Sequence, residues 1–187
     1  RIDGKPGYIV VVGTGRLLTA SDADVSTTPP TQSTYGLWDE SPFGSLATIS
    51  TISGRAVLAQ STSAVDTVAS GYYKVTTNPA INWATQKGWY LDLTDLVGQR
   101  NVYPVNALRS TVLIDTIAPK PVTGSCTVDG AVRAVTYALN PYTGMCNASY
   151  KTLDTNNDNV IDTADTDSCA YAGLGDGLTV FLSKGPG

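Results

Sequence analysis

With 187 residues the chain has room for one sizeable core, and a hydrophobic content of 42% is that of a globular protein. It contains no histidine, which excludes Ser-His-Asp and Cys-His nucleophile systems and every histidine-based zinc site. The net charge of -4 is concentrated in Asp154, Asp158, Asp162, Asp165 and Asp167, with no Lys or Arg between Lys151 and Lys184, a field that attracts cations and repels nucleic acid.

Glu40 is the only glutamate, and Thr, Ser, Val, Gly and Tyr dominate, a composition that favours strands and turns over helices. No run of about 18 apolar residues is present, so no membrane span is predicted. The opening "RIDGKPGYIVVVG" carries neither an initiator Met nor a signal-peptide pattern and enters an apolar run almost at once. The expectation is a piece of a longer secreted precursor.

In chain order, "GYIVVVGTG" (7–15) predicts a buried strand closed by glycines. The following "GTGRLL" is no dinucleotide fingerprint, because Leu18 stands where the third glycine belongs. Ser21 to Gln32, with Pro29 and Pro30, predicts a surface loop, and "STYGLWD" (33–39) a strand. "GRAVLAQ" (54–60) and "SGYYKVTT" (70–77) follow as strands. In "GWYLDL" (88–93) Trp89, Leu91 and Leu93 alternate with Tyr90 and Asp92, the period of a half-buried strand. "GQRNVYPV" (98–105), "STVLIDTIAP" (110–119), "AVRAVTYALNPYTG" (131–144) and "GDGLTVFLS" (175–183) complete the series. Short strands at regular spacing with Gly, Pro and Asn turns predict an all-β fold: propeller, sandwich or barrel. No clean repeat period emerges.

Three cysteines, Cys126, Cys146 and Cys169, lack CxxC spacing and lie in a loop-rich region. They predict an extracytoplasmic disulfide, with one thiol left over or paired outside this chain. Three pairings are open, and Cys126 with Cys146 is the preferred one.

The strongest chemical signal is "DTNNDNVIDTAD", residues 154–165. An EF-type calcium loop places oxygen ligands at positions 1, 3, 5, 7, 9 and 12, the seventh through a backbone carbonyl. Counted from Asp154, these are Asp154, Asn156, Asp158, the Val160 carbonyl, Asp162 and Asp165. Asn159 takes the sharply turning sixth position, which Asn tolerates better than other non-glycine residues. Hard oxygen donors suit Ca2+ rather than a softer metal. The alternative is a solvated Asp/Asn turn with no ion. Neither flank has the pattern of an EF-hand helix, so a calcium-clipped loop between strands is predicted. Asp165 is shorter than the usual bidentate Glu at position 12 and is the weakest member of the set.

The order of "YIVVVGTGRLL", "TQSTYGLWD", "NWATQKGWYLDL", "GQRNVYPV", "STVLIDTIAP", "YALNPYTG" and "LDTNNDNVIDTAD", from about Tyr8 to Asp165, resembles the C-terminal propeller of the PilC/PilY-type, type IV pilus tip-associated proteins. The resemblance implies quinoprotein-dehydrogenase-like blades in a bacterial envelope protein. It also implies an EF-like calcium loop linked to pilus extension and retraction, twitching motility and adhesion. On this sequence the implied ligands are Asp154, Asn156, Asp158, the Val160 carbonyl and Asp162. At about 40 to 50 residues per blade the chain makes about three to four blades, a single fragment of a partial propeller over residues 1–187. The implied partners are the remainder of the propeller or precursor chain, minor pilins at the pilus tip, and a host or surface ligand.

Two rival functions remain open at this level. One is a calcium-stabilised extracellular adhesin unrelated to pili, with Trp38, Trp83 and Trp89 free to stack on sugars. The other is a quinoprotein-type enzyme fragment, for which Asp92 and Arg100 are the available acid and cation. A non-enzymatic module is the preferred reading.

Overall fold

The computed structural model describes residues 2, 4–25, 28–41, 51–77, 79–108, 110–119 and 133–174. Nine strands form there: β1 (Tyr8–Gly13), β2 (Gln32–Asp39), β3 (Ala59–Val65), β4 (Tyr72–Thr77), β5 (Gly88–Leu93), β6 (Asn106–Leu108), β7 (Thr111–Ala118), β8 (Arg133–Leu139) and β9 (Ala170–Leu174). A single helical turn, α1 (Ala20–Ala23), opens the polar stretch after β1. Asp22 closes this turn: its carboxylate accepts the N–H of Leu18 and of Thr19 and pairs with Arg16. The all-β expectation is met. The predicted strand at 175–183 and Cys126 lie outside the described residues.

All nine strands belong to one sheet, in the order β1-β2-β5-β3-β4-β9-β8-β7-β6. The ladder is antiparallel except where β3 runs parallel to β5, Ala59 opposite Trp89 and Ser61 opposite Leu91. The described strands form a hydrogen-bonded ladder that runs without a break. β1 departs from the reading as a buried strand. It lies at the sheet edge, and Tyr8, Val10 and Val12 on one of its faces are exposed. An apolar β-branched run says that a strand forms, not which side of it is covered.

The sheet curls, and its inner face carries the core: Tyr73 and Val75 from β4, Trp89, Leu91 and Leu93 from β5, Val112 and Ile114 from β7, Val135, Tyr137 and Leu139 from β8. Period-two alternation puts each set on one face. The segment after β5 holds the curl. Arg100 exchanges two backbone hydrogen bonds with Ile117 of β7, and the Asn101 N–H donates to the Thr14 carbonyl just beyond β1. Beneath it, Gln99 Nε2 donates to Thr116 Oγ1 at 2.8 Å and to the Tyr137 hydroxyl at 2.7 Å, and that hydroxyl donates to Asp95. These buried polar groups satisfy one another, which removes the desolvation penalty that each would carry alone.

Trp89 is fully buried and central. Its indole lies over Gly36 of β2, where an added Cβ would come within 2.2 Å of the ring. On another side it meets Gly144, at φ +66°, where a Cβ would again come within 2.2 Å. Its Nε1 donates to the Pro141 carbonyl at 2.9 Å. Thus Trp89 fastens the connection leaving β8 onto the β2–β5 pair. Replacing Trp89 by Ala should cost about 3–5 kcal/mol of stability, and Gly144→Ala should also destabilise through clash and backbone strain. Urea unfolding followed by circular dichroism checks both.

Candidate functional site: the acidic loop

The acidic loop lies in the connection between β8 and β9, as the sequence predicts for an inter-strand clip. The sheet itself has two halves, β1-β2-β5-β3-β4 and β9-β8-β7-β6. β4 and β9 join them through only two residue pairs, Tyr72 with Tyr171 and Tyr73 with Ala170. The β8–β9 connection supplies further fastening across this seam. The Cys146 N–H donates to the Val75 carbonyl and the Cys169 N–H to the Tyr73 carbonyl, both on β4. The Tyr72 hydroxyl donates to the Asp154 carbonyl at 2.9 Å, and Ser168 Oγ to the Asp66 carboxylate at 2.7 Å.

Cys146 and Cys169 form a disulfide. The pairing expected with Cys126 is thereby corrected: spacing alone carries no information on which sulfurs approach, and the two that pair are brought together where both ends of the connection lie against β4. The ring so closed, 23 residues from one cysteine to the other, contains the whole acidic loop.

Within the ring, base and tip differ. Leu153, Thr155 and Asp165 are buried, whereas residues 156–160 and Asp162 are exposed. Asp154 Oδ1 accepts the N–H of Asn157 and its Oδ2 that of Asn159, so the chain winds about this carboxylate. Asn156 Oδ1 accepts the Asp158 N–H, Asp158 Oδ1 the Val160 N–H, and Asp162 Oδ1 the Ala164 N–H, a series of Asx turns. Asn157 and Asn159 take φ of +61° and +67°, so Asn159 meets the demand of the sixth position without glycine.

Asp165 behaves differently from the others. Its Oδ1 accepts the N–H groups of Thr155 and Asn156 and the Thr155 hydroxyl, and its Oδ2 accepts the Asp162 N–H. Burial pushes its carboxyl up, but the N–H groups of Asp162 and Thr155 outweigh this and hold its pKa below the ordinary value. Asp165 thus ties the start of the loop to its end from the inside.

Among the described residues no group of three or more His, Cys, Asp or Glu side chains converges as a metal cage. Oxygen donors stand at alternate positions from Asp154 to Asp162, on a tip wound by its own Asx turns. Lys151 pairs with Asp167, just beyond residues 154–165.

The rival sites do not assemble. Asp92 accepts from Ser33 Oγ and Arg55, and Arg55 stacks on Tyr35 and Tyr90. Arg100 is buried and donates to the carbonyls of Gly98 and Arg16. Trp38 and Trp89 are buried, and Trp83 is half-buried with its ring edge-on to Trp38 at 5.8 Å. Sequence reasoning missed Asp66 and Tyr72 as supports of the loop. They lie 102 and 82 residues from their partners, and nothing local in the sequence signals such contacts.

Burial would raise the Asp66 carboxyl, but the hydroxyls of Thr166 and Ser168, the Val68 N–H and the Lys74 ammonium outweigh it and hold its pKa well below the ordinary carboxylate range. A depressed folded-state pKa contributes stability that is complete above the unfolded value and is lost as pH falls through the carboxylate range. Urea midpoints measured against pH should therefore fall below about pH 4, and Asp66→Asn should flatten that fall while lowering stability at neutral pH.

No family model matches the chain. It is 34% identical over 154 residues to the type IV pilus biogenesis factor PilY1 of Pseudomonas aeruginosa, strains PAO1 and PAK, a match covering 75% of this chain and 13% of the relative. A PilY1 homolog of Xylella fastidiosa is 32% identical over 139 residues, covering 72% of this chain and 10% of that one. The chain thus spans about an eighth of the length of the curated relatives it matches. The crystal structure of the P. aeruginosa PilY1 C-terminal domain superposes with a TM-score of 0.69 at 27% identity, over 91% of this chain and 36% of that one. Sequence and fold agree on the same relative, and the chain is a homologue of the PilY1 C-terminal domain.

Proposed function

We propose that the chain is a calcium-binding module of a type IV pilus tip and biogenesis protein, working outside the cytosol in pilus assembly, in extension and retraction with the resulting twitching, and in adhesion. The observation that carries the calcium part is the run Asp154, Asn156, Asp158, Val160 carbonyl, Asp162 on an exposed tip whose base is buried. The pilus part draws on the relatives, which are named as pilus biogenesis factors. The disulfide suits a compartment outside the reducing cytosol, and among the described residues no helix is long and apolar enough to cross a membrane.

In this reading Ca2+ takes the five oxygen donors, and Asp165 stays inside as the clasp that sets the loop's two ends together. A bound cation would tighten the seam between the two half-sheets through the Asp154 carbonyl and Tyr72. The sheet itself is an arc of a propeller completed by other parts of a longer chain, with minor pilins and a surface ligand as further partners. Among the described residues β1 has a strand partner on one side only, and its exposed Val10 and Val12 favour such a neighbour. The relatives' names favour the pilus over a general adhesin, and the burial of Trp38 and Trp89 weakens the sugar-stacking version of that rival.

Calorimetry tests the cation assignment: Asp158→Ala should weaken Ca2+ binding at least tenfold, and chelation should lower the Tm of the parent chain but not of the variant. Equal affinities would overturn the ligand set. For the edge, light scattering of the isolated 187-residue chain should detect self-association that Val10→Lys reduces, whereas a monomer at all concentrations would count against an uncovered edge.

A further inference from the structure

The face of the sheet opposite the core carries a site that the chain fills with one of its own side chains. On the paired strands β2 and β5, Tyr35 stands opposite Tyr90 and Ser33 opposite Asp92, and period two puts all four on the face turned away from Trp89 and Leu91. Arg55, in the segment leading into β3, lies over the two rings, its guanidinium carbon 5.3 Å from the centre of Tyr35 and 4.7 Å from that of Tyr90. Nη1 donates to Asp92 Oδ1 at 2.9 Å, Nη2 to Ser33 Oγ at 2.8 Å and Nε to the Tyr35 hydroxyl at 3.0 Å. Ser33 Oγ in turn donates to the same Asp92 oxygen. The nitrogens of one planar fork are thus met by side-chain oxygens and two ring faces, a match that a compact ammonium cannot make.

The segment that carries this arginine is otherwise lightly attached. Ser53, Gly54 and Ala56 are exposed, and a Cβ added at Gly54 would meet no described atom within 4 Å. Among the described residues, the side-chain hydrogen bonds from residues 51–58 to the sheet all come from Arg55. The backbone adds one at Val57, whose carbonyl accepts the Lys87 N–H just before β5. The side chains of Arg55 and Asp92 are 43% and 25% exposed, so solvent screens their ion pair and lets it exchange partners.

We propose that Ser33, Tyr35, Tyr90 and Asp92 form a guanidinium-binding site, that Arg55 is its removable plug, and that the site takes an arginine side chain from elsewhere when residues 51–58 lift as a strap. The receptor half stands on two hydrogen-bonded strands and keeps its shape when the plug leaves. Val12 stands opposite Tyr35 on the same face and is exposed, so an incoming arginine finds an apolar neighbour beside the rings. While the strap is down, Arg55 competes with any outside guanidinium at the effective concentration of a tethered group. The strap therefore sets how strongly the site binds, and the site is independent of the acidic loop and of any cation there.

The test titrates the 187-residue chain with ethylguanidinium, and with ethylammonium as the control cation, below denaturing concentrations and reads amide shifts by NMR. Arg55→Ala should show saturable shifts at Ser33, Tyr35, Tyr90 and Asp92, the parent chain should bind about tenfold more weakly, and ethylammonium should not bind. Asp92→Asn added to Arg55→Ala should remove the binding. Hydrogen exchange in Arg55→Ala should rise about tenfold at the Lys87 amide and stay unchanged in β7 and β8. No saturable binding by Arg55→Ala, or equal binding of ethylammonium, would overturn the guanidinium site. Equal binding by parent and variant, or binding that survives Asp92→Asn, would put the ligand elsewhere and overturn the plug. Unchanged exchange at Lys87, or a rise shared by β7 and β8, would overturn the strap.

Discussion

The fold depends on one packed indole. Trp89 needs a partner without a side chain on the neighbouring strand and another in the turn after β8, and Gly36 and Gly144 meet both needs. Its Nε1 bond to Pro141 then fixes the direction in which the chain leaves β8. From that exit the connection runs to β4, and the positions of Cys146, of the acidic loop and of Cys169 follow. A group with no surface exposure thus determines where the exposed aspartates of the loop are presented.

The acidic loop divides labour among aspartates that look alike in sequence. Asp154, Asp158 and Asp162 spend carboxylate oxygens on local Asx turns at or near the surface, whereas Asp165 turns inward and gathers backbone N–H groups from three residues. Asp66, outside the loop, serves a similar purpose at its exit through Ser168. Buried carboxylates satisfied in this way act as organisers of backbone, and their charge is compensated by dipoles more than by cations.

Much of the local structure was legible. The alternation in "GWYLDL" matched β5 residue for residue, and "STVLIDTIAP" and "SGYYKVTT" contained β7 and β4, because period-two patterning reports a face directly. The place of the acidic segment between strands was also legible, since its turn chemistry is local. What escaped was non-local. β5 is inserted between β2 and β3, running parallel to β3, and no local pattern specifies that order. The disulfide partner depended on the same tertiary arrangement, as did the inward turn of Asp165. "GYIVVVG" was recognised as a strand, but its place at an edge is a property of the sheet and not of its own residues.

The two-pair junction of β4 with β9 has a consequence for how the chain is made. During synthesis β4 emerges long before the strand that covers it, and the contact from Asp66 to Ser168 spans 102 residues. Until β9 arrives, the first half-sheet carries an open strand edge on β4, and loop closure over that span precedes any reward from pairing. The junction that only β9 can complete is the one beside which the disulfide lies.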